Sequence, residues 1–298
     1  MQITAQATPV FSSSARRPNP LGLIREAVTE IWSRRHLVGY LVRADLKKKG
    51  ADTVLGNLWW VIDPLLQMTV YVILVSVIFA RSQPDYPLFI FAAILPWKWF
   101  STAVGDATVA VTLQDRLIKQ VRFPLLVLPT AAVMAGVANF AFGLIPLFAM
   151  LLFLYPERLS TLVVFIPVIA AVQLVFTLAI GFVVSGINVF YRDVGNLSRH
   201  VLRLWFYLSP ALYGPATVHK LASGHPTIFR IIELNPFYTL FTAYRNVIYG
   251  TETPDGGSTL PIPPDWGGLA GLLVASLVLL ALATIFFKRL EPTFAKVL

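Results

Sequence analysis

Three ionisable side chains interrupt the long apolar stretches of this chain: Asp63, Lys98 and Asp106. A charge at membrane depth is costly and persists where it does work, so these are the candidates for a proton or sodium relay. Lys98 and Asp106 stand eight positions apart, about 12 Å along one helix, too far to pair within it. The plainer reading puts Asp63 and Asp106 near the inner interface and turns Lys98 toward a wet interior. A second acidic group, Glu252, Asp255 and Asp265, falls in a Gly- and Pro-rich loop at 251–266 that has no Lys, Arg or His. Solvated loop acids describe it better than a lipid-sugar active site, and no catalytic residue is assigned.

Other chemistries are excluded by composition. The chain has 0 Cys, which removes disulfides, thiolate metal sites and cysteine nucleophiles. Its four histidines, His36, His200, His219 and His225, show no ligand spacing, so no metal is expected. No G-x-x-x-x-G-K-[ST] is present, and Gly-Lys does not occur at all. The chain therefore binds no ATP through a P-loop. If it is powered by ATP, the nucleotide and its Mg belong to another polypeptide.

Two further sets of residues point to binding. The segment 113–123, LQDRLIKQVRF, carries Leu113, Leu117, Ile118 and Val121 as an apolar stripe, with Arg116, Lys119 and Arg122 beside it and Phe123 at its end. A short amphipathic helix of this kind docks in a partner's groove, or else is a connector whose charges set topology. Aromatics cluster at Trp97, Trp99 and Phe100 and again at Trp205, Phe206, Tyr207 and Tyr213. Such faces stack on sugars in a pore, or lie in the interfacial belt where indole and phenol rings collect.

These residues must be held by membrane helices. Hydrophobic residues make up 56% of 298 positions and charged residues 13%, against roughly 45–50% and about 25% in soluble domains. Residues 1–20 are Ser-, Ala- and Pro-rich and read as a disordered cytoplasmic tail. Residues 21–49 show apolar positions at three- and four-residue steps (Leu21, Ile24, Val28, Ile31, Val38, Val42), with one gap at Arg35. Trp32 and the basic residues suit a helix in the headgroup plane, or one docked on another protein. The rest, 50–298, is one membrane domain. Its spans are expected at 58–80, 88–111, 125–155, 162–190, 201–213 and 269–287.

The segment 227–249 is apolar enough to tempt a seventh span, yet it holds Arg230, Glu233, Asn235, Pro236 and Arg245. Positive charge decides against it. With six spans, 18 of the 24 Lys and Arg residues fall on the side of the N-terminus and five on the other, with Lys98 between. A seventh crossing would export the basic tail after 287, against the positive-inside rule. So 227–249 reads as two short helices broken at Asn235-Pro236, re-entering from the outside, an arrangement tolerated only under protein cover or beside water. The fold class is an all-α integral membrane protein with six transmembrane helices, an N-terminal amphipathic interface helix and a re-entrant outer helix pair before the last span. Both termini are expected in the cytoplasm.

Taken in order, the residues resemble the ABC-2 type permeases that export cell-surface polysaccharides, the O-antigen and teichoic acid group. The pieces are Arg43, Asp45 and Leu46; Leu55-Gly56-x-Leu58-Trp59 with Pro64; Leu95-Pro96-Trp97 with Phe100; Leu117-Ile118-Lys119 before Phe123-Pro124 and Leu128-Pro129; Asn188 with Tyr191-Arg192-Asp193-Val194; Ser209-Pro210 with Tyr213; Asn235-Pro236 with Tyr244-Arg245; and Leu290-Glu291-Pro292 with Phe294. The resemblance implies a homodimer paired with two copies of a nucleotide-binding ATPase subunit in the bacterial inner membrane. It would move a polyprenyl-diphosphate-linked glycan, whether O-antigen, teichoic acid or galactan precursor, through a channel along the dimer. It makes 113–123 the ATPase-coupling segment and 227–249 the outer gate, with Asn235, Pro236, Tyr244 and Arg245 at the gate. Channel contacts would come from Trp97, Lys98, Phe100, Phe206, Tyr207 and Tyr213. Lys98 departs from the family's usual uncharged residue and is expected to meet the carrier's diphosphate or a charged sugar. A permease for another amphiphile, a drug or a lipid, is the alternative within transport; a membrane enzyme or scaffold of envelope assembly is the alternative outside it.

Overall fold

The computed structural model describes residues 19–50, 54–78, 84–120, 123–214, 226–251, 253 and 257–298. The expected tail before residue 19, together with Val121, Arg122, His219, His225, Glu252 and Asp255, lies outside the described residues.

Among the described residues the regular structure is helical. The single helix expected at 21–49 is two, α1 (Pro20–Ser33) and α2 (Arg35–Gly50), breaking where the apolar period skips. Next come α3 (Trp59–Val72, prolonged by a π-turn at Ile73–Ile78), α4 (Tyr86–Ala110), the short α5 (Asp115–Gln120), α6 (Val127–Phe153), α7 (Ile166–Phe190) and α8 (Val194–Leu208). Two short helices, α9 (Pro226–Glu233) and α10 (Pro236–Ile248), precede the long α11 (Trp266–Val297).

Five helical stretches among the described residues are long and apolar enough to cross a membrane: Trp59–Ile78, Tyr86–Ala110, Val127–Phe153, Thr161–Phe190 and Trp266–Phe294. The expected fifth span at 201–213 is not among them. Its helix starts earlier, at Val194, and stops at Leu208, giving 15 residues, about 22 Å of helix against ~30 Å of hydrocarbon.

The bundle is built around α4, 78% buried over its apolar window, whereas α3 is 6% buried and lies on the outside. Small residues let the central helices approach. A Cβ on Gly181 of α7 would lie 3.2 Å from Ala107 Cβ on α4 and 3.3 Å from Val133 Cγ2 on α6. Gln173, fully buried on α7, donates from Nε2 to Pro96 O at 2.8 Å, so the proline in mid-α4 is tied sideways to a neighbouring helix.

Contacts along α4 give a depth scale from Val109 to Tyr86, about 35 Å at 1.5 Å per residue. Gly195, at the start of α8, sits against Val109, where a Cβ would meet Cγ1 at 3.5 Å. Phe206 reaches Trp97, with ring centroids 5.4 Å apart. Leu212 O accepts from the Tyr86 hydroxyl at 3.3 Å. Hence α8 and the non-helical 209–214 together run the whole length of α4. The helix pair behaves differently. Phe237 packs on Phe100 at 4.7 Å, about 21 Å below Tyr86. Tyr249 has returned to the Tyr86 end, where its hydroxyl donates to Pro84 O at 2.8 Å.

Candidate functional site

At the α5 end the chain leaves α4 through a 3-10 turn (Thr112–Gln114). Asn188 pins the neighbouring turn by accepting from Gly195 N–H at 2.9 Å and donating to Thr112 Oγ1 at 3.4 Å. The apolar stripe expected to face a partner divides here. Leu113 is 70% exposed, and Arg116 is exposed beside it. Ile118 instead turns into the chain's own core with Val111, Leu125, Leu126 and Phe294, and Phe123 packs against the same cluster. Ile118 and Phe123 therefore do not belong to the outward face; a six-residue helix has room for only one exposed side. Lys119 donates to the Leu298 main-chain oxygen at 2.6 Å, linking α5 to the end of α11. Val121 and the Leu117 side chain lie outside the described residues.

Two ion clusters fasten α1 and α2 to this end. Lys288 on α11, its side chain 6% exposed, is met by Glu26 at 2.9 Å, Glu30 at 2.9 Å and Glu291 at 2.8 Å. Glu291 also accepts from the Leu125 N–H at 2.7 Å, which holds the start of α6. Burial raises the Glu30 pKa above its ordinary value; Lys288 opposes this, while Glu291 and Glu26 add to it. Lys49, at the end of α2, contacts Asp106 at 2.6 Å and Asp45 at 2.9 Å. Burial works against the Lys49 charge, but the two carboxylates outweigh it and raise its pKa. The exposed side of α1 carries Leu21, Val28 and Trp32, while Leu23 and Ala27 are buried. One helix thus presents an apolar face to its surroundings and docks with the opposite face.

The aromatic residues expected to line a channel are largely core. Trp97, Phe100 and Phe206 are 5%, 0% and 3% exposed. They pack edge-on or tilted with Phe237, Trp205 and one another at 4.7 to 5.5 Å. Their contacts inside the protomer leave no face for a sugar. Tyr207 is 53% exposed and Tyr213 partly so, and only these two aromatics of the expected set remain available. Lys98 forms an ion pair with Asp63 of α3, and Asp106 is taken by Lys49. The three ionisable residues are thus distributed over two separate pairs rather than one relay.

Deep in the bundle, beside Trp205, Asn235 caps α10. Its Oδ1 accepts from Phe237 N–H at 3.0 Å and Trp205 Nε1–H at 3.1 Å, and its Nδ2 donates to Ser209 Oγ at 2.8 Å. Pro236 occupies the first helical position, where its missing N–H costs nothing. Tyr244 is buried, 6.1 Å by ring centroid from Phe140. Arg245, 2% exposed, lies over the Phe89 ring at 3.7 Å. It donates to Phe89 O at 3.3 Å, Pro210 O at 2.6 Å, Tyr213 O at 3.3 Å and Ala211 O. The carbonyls at 210–213 lack helical partners, so the guanidinium supplies the donors they require.

Sequence reasoning missed Arg158. Its guanidinium, 6% exposed, holds Asp85 at 2.8 Å, Tyr249 O at 2.8 Å, Thr259 O and Ser258 Oγ. It joins three loops that have no sequence relation, so spacing offered no signal. The Lys288 cluster did offer one: Glu26 and Glu30 are four apart, and Lys288 and Glu291 three apart, each pair sharing a helix face.

Among the described residues, an all-helical bundle with five helices long and apolar enough to cross a membrane defines a multi-pass membrane protein. The ABC-2 type transporter family model matches residues 36–249, and the chain belongs to that family. It is 35% identical over 269 residues to the O-antigen export system permease protein RfbA of Myxococcus xanthus, covering 90% of this chain and 98% of the relative. It is 26% identical over 263 residues to the protein of the same name in Klebsiella pneumoniae, covering 88% of this chain and 95% of that relative.

Proposed function

We propose that the chain is the channel-forming subunit of an ATP-driven exporter that carries a polyprenyl-diphosphate-linked polysaccharide of O-antigen type from the cytoplasm across the bacterial inner membrane. The carrying observation is the near end-to-end relationship to an O-antigen export permease, which leaves 2% of that relative uncovered. The chain is not itself an enzyme: ATP and Mg act on a separate ATPase subunit, and Leu113 and Arg116 offer it an exposed contact below α4.

The depth scale on α4 supports six crossings, the fifth made of α8 completed by 209–214. It equally supports a re-entrant α9 and α10, since the segment after 214 leaves from the Tyr86 end and is back there at Tyr249. Charge orients this bundle with both termini and α5 in the cytoplasm. Exposed apolar residues on α3 (Leu66, Val70, Val77) and α8 (Val201, Leu204, Leu208) suit a second copy of the chain. The glycan would then pass between two copies, with Tyr207 and Tyr213 among its contacts.

Deleting the gene in its native host tests this reading. Surface polysaccharide should disappear while the lipid-linked polymer accumulates inside, and the wild-type gene should reverse both. Unchanged surface polysaccharide in the deletion strain would overturn it.

A further inference from the structure

One cavity takes no part in the proposed export path. About 210 Å³ in volume, it lies between α3, α4 and α6 and is lined by Lys49, Asp63, Lys98, Trp99, Asn139 and the indoles of Trp59 and Trp60, among others. It is smaller than the ~300–1,000 Å³ of pockets that hold drug-sized ligands, so it suits a small polar group rather than an oligosaccharide. Its polar atoms are incompletely paired. Trp99 is 3% exposed, and its Nε1–H has no hydrogen-bond partner among the described residues; the same is true of the buried Asn139 Oδ1. An unpaired buried polar atom is destabilising and calls for an explanation. The indole is held there by close packing: a Cβ on Gly136 would come within 3.0 Å of Trp99 Nε1.

The donor and acceptor set is mixed, and that mixture selects the ligand. Lys98 and the Trp99 N–H can donate to an acceptor, preferably anionic, while Lys49 beside them is already held by Asp106 and Asp45. Asn139 Oδ1, and Asp63 beyond its pairing with Lys98, can accept from a donor, preferably cationic. A simple anion would face Asp63 and the amide oxygen, and a simple cation would face two ammonium groups. A group with phosphate at one end and a primary ammonium at the other satisfies both sets. It would convert the Lys98–Asp63 pair into a four-charge ring.

Position selects the source. Lys49 closes α2 and pairs with Asp106 near the Val109 end of α4, so the cavity reaches toward the α5 end, with Trp59 and Trp60 opening α3 beside it. From that mouth the exposed apolar side of α3, Leu66, Val70 and Ile73, runs toward the far side of the membrane and offers a bed for acyl chains. We propose that this cavity binds the phosphoethanolamine head group of an inner-leaflet phospholipid, a resident lipid distinct from the exported carrier. The assignment to the inner leaflet rests on the orientation proposed above; binding itself does not.

The test is native mass spectrometry of the purified full chain, exchanged into detergent with equimolar phosphatidylethanolamine, phosphatidylcholine and phosphatidylglycerol. Phosphatidylethanolamine should be retained about tenfold over the other two, the ratio that ~1.4 kcal/mol produces. Lys98→Gln should lower its retention about as much, and Asp63→Asn should erase its advantage over phosphatidylglycerol. Soluble phosphoethanolamine at the same concentration should not displace it. Equal retention of the three lipids by the wild-type chain would overturn the proposal without recourse to any variant. So would displacement by soluble phosphoethanolamine, which would reassign the site to a free metabolite, or displacement by lipid-linked glycan, which would reassign it to the exported substrate.

Discussion

Replacing Arg245 by Met tests what holds the non-helical 209–214 against α4. The side chains are similar in length, so the change removes a charge and its donors with little loss of volume. The guanidinium makes one bond to Pro210 O at 2.6 Å and another to Ala211 O, with two longer ones at 3.3 Å to Phe89 O and Tyr213 O. At ~1.5–3 kcal/mol for each charge-assisted bond, the two short ones contribute about 3–6 kcal/mol. Methionine avoids the desolvation of a buried cation, which offsets part of this. A net loss of about 2–3 kcal/mol remains, since the freed carbonyls stay buried. In a domain of this size that lowers the melting temperature by about 4–12 °C. Thermal unfolding in detergent gives the shift, and hydrogen exchange should rise selectively in peptides covering 207–214. Arg245→Lys keeps the charge but not the planar fork, and should recover only part of the loss. A melting curve for Arg245→Met that overlays the wild type, with no change in exchange at 207–214, would refute the reasoning.

Asn235→Ala removes a helix cap and the acceptor of the buried Trp205 N–H; about 2–4 kcal/mol should be lost, measured by thermal unfolding, with Asn235→Asp losing less because the acceptor survives. Leu113→Asp with Arg116→Glu should abolish co-purification of the ATPase without altering the melting temperature, whereas Ile118→Asp should lower stability because that side chain is in the chain's own core. The raised Glu30 pKa gives a pH effect with a definite sign: protonation is favoured in the docked state, so the contribution is complete below the ordinary glutamate value and is lost as pH rises through the raised one. Hydrogen exchange of α1 should therefore slow as pH, after correction for intrinsic rates, falls through the acidic range above that ordinary value. In Glu30→Gln the dependence should flatten.

Length and period made the long helices legible, because an uninterrupted apolar run must find a membrane or a core. The break at Arg34, between α1 and α2, showed as a skipped apolar position. The break at Asn235-Pro236 was legible as well, since one short helix ends at Glu233 and the next starts at Pro236. What the sequence could not give was the direction of each aromatic ring. Trp97, Phe100 and Phe206 are as suitable for a channel as for a core, and only their neighbours decide; Phe237, 137 residues beyond Phe100, is the neighbour that does. The end of α8 at Leu208 was not legible because the non-helical 209–214 is held by Arg245, a contact 32 to 35 residues distant in sequence. The pairing of Lys98 with Asp63 also crosses helices, as does that of Asp106 with Lys49, so spacing along one helix names neither partner.

On the function proposed, this chain conducts a lipid-linked glycan only when a separate ATPase drives it. The most direct measurement uses proteoliposomes carrying the chain and its cognate ATPase, supplied with lipid-linked polysaccharide and scored for polymer reaching the far leaflet. Delivery should require both proteins and hydrolysable ATP. Delivery by the chain alone, or ATP hydrolysis by the pair that neither responds to the glycan nor moves it, would contradict the account.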